Sequence, residues 1–275
     1  MCAWLKVSTS GFYHWASRPQ SATAARRQVL TTRVRHFFAA TDGTYGYRRI
    51  HADLVDEGSE CSPELVRHIM RDEGLVPCQP RPFRVTTEAD AAAAAGMPDL
   101  VDRDFTAERP GIKFVGDITY IPTDEGWLYL AVVEDLYSRK VVGWAMSAHI
   151  DAPLVVAALE MALEQERPHA GLSVHSDRGS QYCSDAMQEI LAREGITVSM
   201  SRRGNCWDNA PMESCWGSLK TELVHHRRFA TREQAKREIT EYIEIFYNRI
   251  RKQARLGHLS PAAFSQQYYA MQMVA

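Results

Sequence analysis

The chain has 275 residues, of which 45% are hydrophobic and 24% charged, the composition of an ordinary globular protein with room for one large or two modest domains. No apolar run reaches the roughly 18 residues that a membrane helix needs, and the N-terminus lacks a long apolar signal region. We therefore expect a cytoplasmic protein with no membrane partner. The net charge of −2 argues against a simple nucleic-acid-binding protein, since such proteins are usually basic.

Residues 1–76 are predicted to form helices. Apolar residues recur at helical spacing in 47–57 and again after Pro63, and Ser62 is suited to cap the second of these helices. Two helices joined by a short turn are typical of a DNA-binding helix-turn-helix, although a purely structural helical hairpin has the same pattern. We predict a small helix-turn-helix-like domain over 1–76.

Residues 77–110 are predicted to be a linker. They contain five prolines and the low-complexity run DAAAAAG at 90–96, and both features disfavour a packed helix or strand of ordinary length.

From residue 111 onward, short strands and helices alternate. We predict strands at 113–123, 127–138, 140–148, 172–177 and 196–201, and helices at 152–166, 185–194, about 210–225 and about 232–249. Three antiparallel strands followed by crossover units give a mixed five-stranded sheet flanked by helices, which is the order of the ribonuclease H-like α/β fold. We predict this core over 111–225 and a helical extension over 226–275.

Charge is distributed unevenly along this part of the chain. Residues 85–201 hold 8 Lys or Arg against 19 Asp or Glu, a net of −11, whereas residues 202–256 hold 12 against 7, a net of +5. This division suits an enzyme that gathers divalent cations in one place and phosphates in another. The six cysteines form no CxxC pair or zinc-ligand pattern, so we expect reduced thiols.

Three carboxylates stand out by their positions. Asp117 lies within an otherwise apolar strand, where a carboxylate is costly unless it is paired or metal-bound. Asp177 follows the fourth strand, and Glu213 lies in the first turn of a helix. Each also has an ordinary explanation: a buried ion pair, a turn cap and a favourable place in the helix dipole, respectively. As a set, they predict a metal site at one edge of the sheet.

Magnesium is the ion that such a site favours, because Mg²⁺ prefers oxygen ligands. Two ions about 3.5–4 Å apart can hold both the attacking and the leaving oxygen of a phosphoryl displacement. We expect two Mg²⁺ (or Mn²⁺) ions, with Asp117 bridging them and Asp177 and Glu213 holding one each.

The residues around these acids resemble the catalytic OrfB subunit of insertion-sequence transposases of the IS-three family, relatives of retroviral integrases. The matching segments cover nearly the whole chain: YGYRRI (45–50), VGDITYI (115–121), GWLYLAVV (126–133), DLYSRKVVGW (135–144), HSDRGSQY (175–182), SMSRRGNCWDNAPMESCWGSLKTEL (199–223), FYNRIR (246–251) and LGHLSP (256–261). The 35 residues between Asp177 and Glu213 also match the interval of the family.

This resemblance implies a DDE transposase with an integrase catalytic core, in which Asp117, Asp177 and Glu213 are the triad. It implies metal-dependent hydrolysis at the element end, which frees a 3′-hydroxyl, and then attack of that hydroxyl on another strand without a covalent protein intermediate. The implied partners are double-stranded DNA (transposon ends and target), an OrfA protein or fusion, and further copies of the chain in the active complex. The implied location is the bacterial cytoplasm, on the nucleoid when active.

Further side chains are candidates for DNA contact. Lys220 lies seven residues after Glu213 and so on the same face of the helix, where the resemblance implies contact with a phosphate of the transposon end; an ordinary solvated lysine is the alternative. Trp216 is assigned to core packing rather than to base stacking. The other candidates are basic or amide side chains of the loop before this helix and of the helix-turn-helix-like region: Arg202, Arg203, Asn205, Arg48 and Arg49.

Two alternative functions remain open. A ribonuclease H-like nuclease would need a fourth acid on the first long helix of the core, for which Glu160 is the candidate. A catalytically inactive DNA-binding regulator is opposed by the intact acids at all three positions. The departures from the family pattern, at Glu134, Gln253 and His258, do not involve the triad.

Overall fold

The computed structural model describes residues 2, 4–78, 99, 101, 104–168, 170–201 and 209–274, and the chain divides into two compact units, 1–78 and 79–275. Most of the predicted linker at 77–110 and the loop at 202–208 lie outside the described residues. None of the helices in the described ranges has the length and apolarity required to cross a bilayer.

The first unit is helical, as predicted. Its helices are α1 (Thr9–Ala16), α2 (Ala22–Ala40), α3 (Tyr47–Asp56) and α4 (Pro63–Asp72). The Ser62 hydroxyl caps α4 by accepting the Leu65 backbone N–H at 3.2 Å, and Pro63 occupies the first turn. The apolar faces of α3 and α4 supply the centre of this unit through Ile50, Leu54, Val66, Ile69 and Met70.

The second unit contains the predicted mixed sheet. Its strands are β1 (Lys113–Thr123), β2 (Gly126–Asp135), β3 (Val141–Ser147), β4 (Ser173–Ser176) and β5 (Thr197–Met200). They lie in the order β3-β2-β1-β4-β5; the first three pair antiparallel, and β4 is parallel to β1 and β5. The expected fold class is therefore confirmed.

Helices cover both faces of this sheet. They are α5 (Ala152–Glu166), α6 (Asp185–Arg193), α7 (Ala210–Glu222) and α8 (Arg232–Glu241), whereas the last helix, α9 (Pro261–Val274), packs against residues Tyr242–Ile250. The single helix predicted at 232–249 is instead α8 followed by a π-helical segment, Tyr242–Ile250. One buried cluster joins the sheet to α7, α8 and the π-helical segment, and a second joins the opposite face to α5 and α6.

A glycine in β3 permits the close approach of α5. A Cβ atom at Gly143 would lie 2.1 Å from the backbone oxygen of Ala158 and 2.7 Å from the backbone nitrogen of Ala162. Because real Cβ atoms do not approach backbone this closely, only glycine allows α5 to pack here without displacement.

A side chain forms hydrogen bonds with the outer edge strand of the sheet, β3. Asn248 of the π-helical segment accepts the Val141 backbone N–H at 2.9 Å and donates to the Val141 carbonyl at 2.8 Å. A buried amide thereby satisfies both hydrogen-bonding groups of one residue on an edge strand.

Candidate active site

Strand register brings Asp117 and Asp177 together. Gly116 of β1 is aligned with Ser176 of β4 in the parallel pair, so the next residue on each strand is Asp117 and Asp177. Neighbouring strands lie about 4.8 Å apart, and the negative charge of Asp177 adds to desolvation in raising the pKa of Asp117. Two acids 60 positions apart in the chain therefore share one edge of the sheet, as the sequence predicted for these two residues.

The Asp117 carboxylate is half-buried and firmly oriented. Its Oδ2 accepts the indole N–H of Trp216 at 2.8 Å, and its Oδ1 accepts the Ile118 backbone N–H at 2.8 Å. Desolvation, with repulsion from Asp177, raises the pKa of Asp117 to about 7 despite these hydrogen bonds and the attraction of Lys220. The carboxylate is thus fixed in direction but poorly neutralised by its surroundings.

Asp177 is exposed at the end of β4. Its Oδ1 accepts the Gly179 backbone N–H at 3.0 Å, so the ordinary turn-capping role also applies to this residue. Desolvation raises the pKa of Asp177, and the hydrogen bond from Gly179 and the nearby His175 oppose that rise. His175 is buried, with Nδ1 2.8 Å from Ser199 Oγ, and it anchors this strand end to β5.

Glu213 lies in the first turn of α7 and is exposed. Partial burial raises its pKa. Within the described residues, no three His, Cys, Asp or Glu side chains lie close enough together to hold one ion, so the expected convergence of all three acids is not observed. The structure brings together Asp117 and Asp177, while Glu213 is solvated in the first helical turn, where a negative charge is favourable.

The helix carrying Glu213 is nevertheless attached to the site. Trp216 is one turn after Glu213 and Lys220 one further turn on, so all three lie on one face of α7. Trp216 is buried in the core, as predicted, and its bond to Asp117 ties that face to β1. The Lys220 ammonium lies 5.2 Å from the ring centre of Tyr120 and lowers the pKa of Asp117, so its positive charge acts on the site.

A buried tyrosine supports the two aspartates. Tyr182 is 4% exposed, and desolvation together with the negative charges of Asp117 and Asp177 raises its pKa well above the usual value. A Cβ atom at Gly116 would lie 3.4 Å from the Tyr182 hydroxyl oxygen, so the glycine beside Asp117 leaves room for this ring. We did not single out Tyr182 from the sequence, although it ends the segment HSDRGSQY.

The other candidate residues fall in different places. Arg202, Arg203 and Asn205 lie outside the described residues. Arg48 is exposed, with its guanidinium 5.4 Å from the ring centre of Tyr47. Arg49 is half-buried, with its guanidinium 5.3 Å from the ring centre of the buried Tyr45, a contact that packs the helical unit.

Glu160, the acid that a ribonuclease H-like nuclease would require, is exposed on α5. It interacts electrostatically with Arg193 at the end of α6. Glu160 is not among the main causes of the pKa shift of either aspartate.

The chemistry of the site suits a hard divalent cation. Two adjacent carboxylates raise each other's proton affinity when no cation neutralises them, and the raised pKa of Asp117 reflects desolvation first and this repulsion second. Mg²⁺ is commonly held by one or two carboxylates, with waters and substrate phosphates completing its shell. Asp117 and Asp177 fit such an ion, whereas Glu213 lies exposed on the neighbouring helix and forms no three-acid group with them among the described residues.

Known protein families match the chain in three segments. An integrase core domain model matches residues 107–206, a second integrase core domain model matches residues 213–269, and an HTH-like domain model matches residues 25–83.

Two curated relatives match nearly end to end. The Insertion element IS600 uncharacterized 31 kDa protein of Shigella sonnei is 42% identical over 271 residues, which are 98% of this chain and 99% of the relative. The Transposase InsF for insertion sequence IS3A of Escherichia coli (strain K12) is 40% identical over 269 residues, 96% and 92% of the two chains. Among solved structures, the HTLV-2 integrase catalytic core domain in complex with magnesium is 15% identical with a TM-score of 0.45, covering 57% of this chain and 98% of that one.

Proposed function

Because this chain belongs to the IS3 family of insertion-sequence transposases, we propose that Asp117, Asp177 and Glu213 are its catalytic acids. The chain is a transposase with an integrase core, a polynucleotidyl transferase that acts on DNA.

The pairing of Gly116 with Ser176 is the observation that most supports this assignment. It follows from backbone hydrogen bonding alone, so it does not depend on the rotamer of either carboxylate. Any fold with this register presents Asp117 and Asp177 as neighbours at one edge. Glu213 enters the proposal because its helix is bonded to Asp117 through Trp216.

We propose two Mg²⁺ ions as the cofactor, with Mn²⁺ as a substitute, and Asp117, Asp177 and Glu213 as the residues that would hold them. When bound, such ions supply Lewis-acid stabilisation of the attacking and leaving oxygens of a phosphodiester exchange. No covalent protein intermediate is required, so the remaining groups act by positioning and by charge.

The other side chains of the site then have distinct tasks. Trp216 and the Ile118 backbone N–H hold the Asp117 carboxylate in one orientation. Lys220, whose charge reaches the site, would contact a phosphate of the element end. Arg202, Arg203 and Asn205 remain proposed contacts with the same strand, and Arg48 and Arg49 with DNA bound by the helical unit.

The proposed substrates are the two ends of the element and a target duplex. Both ends of the element must be held together for them to be joined, so we propose a homo-oligomer assembled on DNA, together with an OrfA protein or fusion. Strand transfer by this chain alone, measured against the same reaction with the upstream frame supplied, would test the need for OrfA.

The decisive experiment is cleavage of a labelled duplex that carries the end sequence of the element. Asp117→Asn, Asp177→Asn and Glu213→Gln are expected to abolish Mg²⁺-dependent cleavage and to leave DNA binding measurable. Glu160→Gln is the matched control, since it removes an exposed carboxylate of the same domain and is expected to retain activity. Near-full activity of any of the three variants would overturn the assignment of that residue.

The same variants address the alternative functions. A ribonuclease H-like nuclease would cut an RNA–DNA hybrid and lose activity in Glu160→Gln. A catalytically inactive regulator would bind the element ends and show no Mg²⁺-dependent cleavage even in the assembly that contains OrfA.

A further inference from the structure

Two aromatic side chains lie exposed next to each other near the turn that joins β1 to β2. Tyr120 of β1 is 45% exposed and Trp127 of β2 is 49% exposed. Their ring centres are 5.0 Å apart, and the rings are nearly perpendicular, at 79°. Trp127 is aligned with Pro122, two residues after Tyr120, so both rings lie on one face of the sheet as diagonal neighbours. We call Tyr120 and Trp127 the aromatic pair.

The backbone beneath the aromatic pair is anchored to the segment that leads into α8. The Asp124 backbone N–H donates to the Phe229 carbonyl at 2.9 Å. Arg232 Nε donates to the Trp127 carbonyl at 3.0 Å, and the Arg232 backbone N–H donates to Glu125 Oε2 at 2.8 Å. Because the turn is fixed in this way, a ligand that contacts the two rings loses little affinity to the ordering of the backbone.

A positive charge lies beside the aromatic pair. The Lys220 ammonium is 5.2 Å from the ring centre of Tyr120, and the Asp124 carboxylate of the turn is neutralised by Arg228 at 3.1 Å. Exposed aromatic rings beside basic side chains are typical of surfaces that bind unpaired nucleic-acid strands, in which bases stack on the rings and backbone phosphates meet the cations. The chemistry of this surface therefore favours a nucleic-acid strand.

The aromatic pair lies close to the two aspartates. Tyr120 is three residues after Asp117 on β1, or about 10 Å, and Trp127, opposite Pro122, is about 17 Å away along the strand direction. The pairing of β4 with β1 ends at Gly116, so β4 does not occupy the side of β1 that leads from Asp117 to the rings. Since successive nucleotides of one duplex strand are about 3.4 Å apart along the axis, the aromatic pair is within about five nucleotides of a phosphate at Asp117.

We propose that Trp127, supported by Tyr120, stacks against an unpaired base of the DNA strand that reacts at Asp117. The contact would not select a sequence, because every base has a π-face. Lys220 would lie beside a phosphate of the same strand. Stacking on the indole would offset part of the cost of separating bases near the reacting phosphate, which amounts to a few kcal/mol. This inference rests on the proposed function in one respect, the placement of the reaction at Asp117.

The test compares aromatic variants of the full chain. Trp127→Leu removes the stacking ring but keeps an apolar side chain, and Trp127→Phe restores a ring. Tyr120→Leu removes the supporting ring and serves as a second variant. Tyr269→Leu is the matched control, because Tyr269 is an exposed tyrosine of α9, at 48%, whose ring likewise meets a neighbouring ring edge to face.

Two labelled probes are titrated with each protein in the absence of divalent metal. One is a duplex with the end sequence of the element, and the other is the same duplex with a short mismatched stretch beside the cleavage position. We expect the wild type to bind the mismatched probe more tightly. Trp127→Leu should weaken binding to that probe about five-fold or more and remove the preference. Tyr120→Leu should reduce the preference, whereas Trp127→Phe and Tyr269→Leu should retain it.

The outcomes separate this inference from the proposed function. A wild type without preference for the mismatched probe, or a Trp127→Leu variant that retains the preference, would overturn it. A change in oligomeric state in Trp127→Leu, measured by sedimentation, with an unchanged preference would assign the rings to contact with another copy and would likewise overturn it. The titrations contain no metal and measure no cleavage, so their failure leaves the assignment of Asp117, Asp177 and Glu213 to be decided by the cleavage assay.

Discussion

Trp216 and Asp117 are joined across the interface between α7 and β1, with 2.8 Å between the indole nitrogen and the carboxylate oxygen. The tryptophan therefore has two tasks that are usually separate. Its ring fills the core beneath α7, and its N–H sets the direction of a proposed metal ligand. Hydrogen-bond partners of metal-binding carboxylates commonly affect metal affinity as strongly as some ligands do.

Replacing this indole should lower the affinity of the proposed site for Mg²⁺ more than it lowers the stability of the fold. Trp216→Phe keeps an aromatic ring in the core and removes only the donor to Asp117. We expect the Mg²⁺ concentration for half-maximal cleavage to rise about ten-fold or more. Trp144→Phe, at a half-buried tryptophan beside the same core cluster, should leave that concentration unchanged. Equal Mg²⁺ dependence in both variants would mean that the hydrogen bond has no part in catalysis.

Lys220 should contribute one phosphate contact. Lys220→Gln is expected to weaken binding to duplexes of different sequence by a similar factor and to reduce the slope of log K against log salt by about one. Lys236→Gln is the control, because that ammonium is paired with Glu233 at 2.6 Å on α8. The measurement is a binding titration at several salt concentrations, and an unchanged slope for Lys220→Gln would identify an ordinary surface lysine.

Glu134 should make the stability of the core depend on pH. Desolvation raises the pKa of this buried carboxyl to about 7 from 4.5, despite the attraction of Arg139. The native state therefore holds a proton that the unfolded chain releases between these two values, so stability from this group is lost as pH rises through that window.

The measurement is the free energy of unfolding of the wild type relative to Glu134→Gln, taken at several pH values. Between about pH 4.5 and pH 7, the free energy of unfolding of the wild type should fall by roughly 3 kcal/mol relative to that of Glu134→Gln. The absolute cost of leaving Arg139 without a full counter-charge cancels in this comparison, because it is present at every pH. A difference that stays constant over the window would show that Glu134 titrates normally.

Two glycines should respond oppositely to alanine. At Gly143 a methyl group would collide with the α5 backbone, so Gly143→Ala should destabilise the chain by several kcal/mol, beyond the roughly 1–3 kcal/mol typical of overpacking. At Gly217 on α7 nothing lies within 4 Å of an added Cβ, so Gly217→Ala should be neutral or stabilising by up to about 1 kcal/mol. Chemical denaturation of both variants gives the comparison.

The sequence predicted the sheet because its strands carry clear local patterns. The segment KFVGDITYIPT coincides with β1, Lys113–Thr123, and a single acid in such a run identified Asp117. Local sequence patterns could not predict the pairing of Gly116 with Ser176, because these residues are far apart in the chain. Only the order of strands made the approach of Asp117 to Asp177 a reasonable expectation.

The parts that sequence reasoning missed depend on tertiary contacts. Tyr182 and His175 lie inside a matched segment, yet neither spacing nor composition reveals that they pack beside the aspartates. The π-helical segment at Tyr242–Ile250 has the same apolar periodicity as an ordinary helix, so the prediction continued α8 through it. The buried pair of Glu134 and Arg139 also left no local signal, since both residue types are usually exposed.

The amide of Asn248 on β3 has a consequence for assembly. An open strand edge invites pairing with the same edge of another molecule, and natural proteins obstruct such edges to prevent uncontrolled association. With Val141 already bonded to Asn248 through both its N–H and its carbonyl, an incoming strand would have to displace a buried side chain before it could extend the sheet. The β3 edge of the sheet is thereby obstructed at Val141, so association of two copies by pairing of this edge is disfavoured.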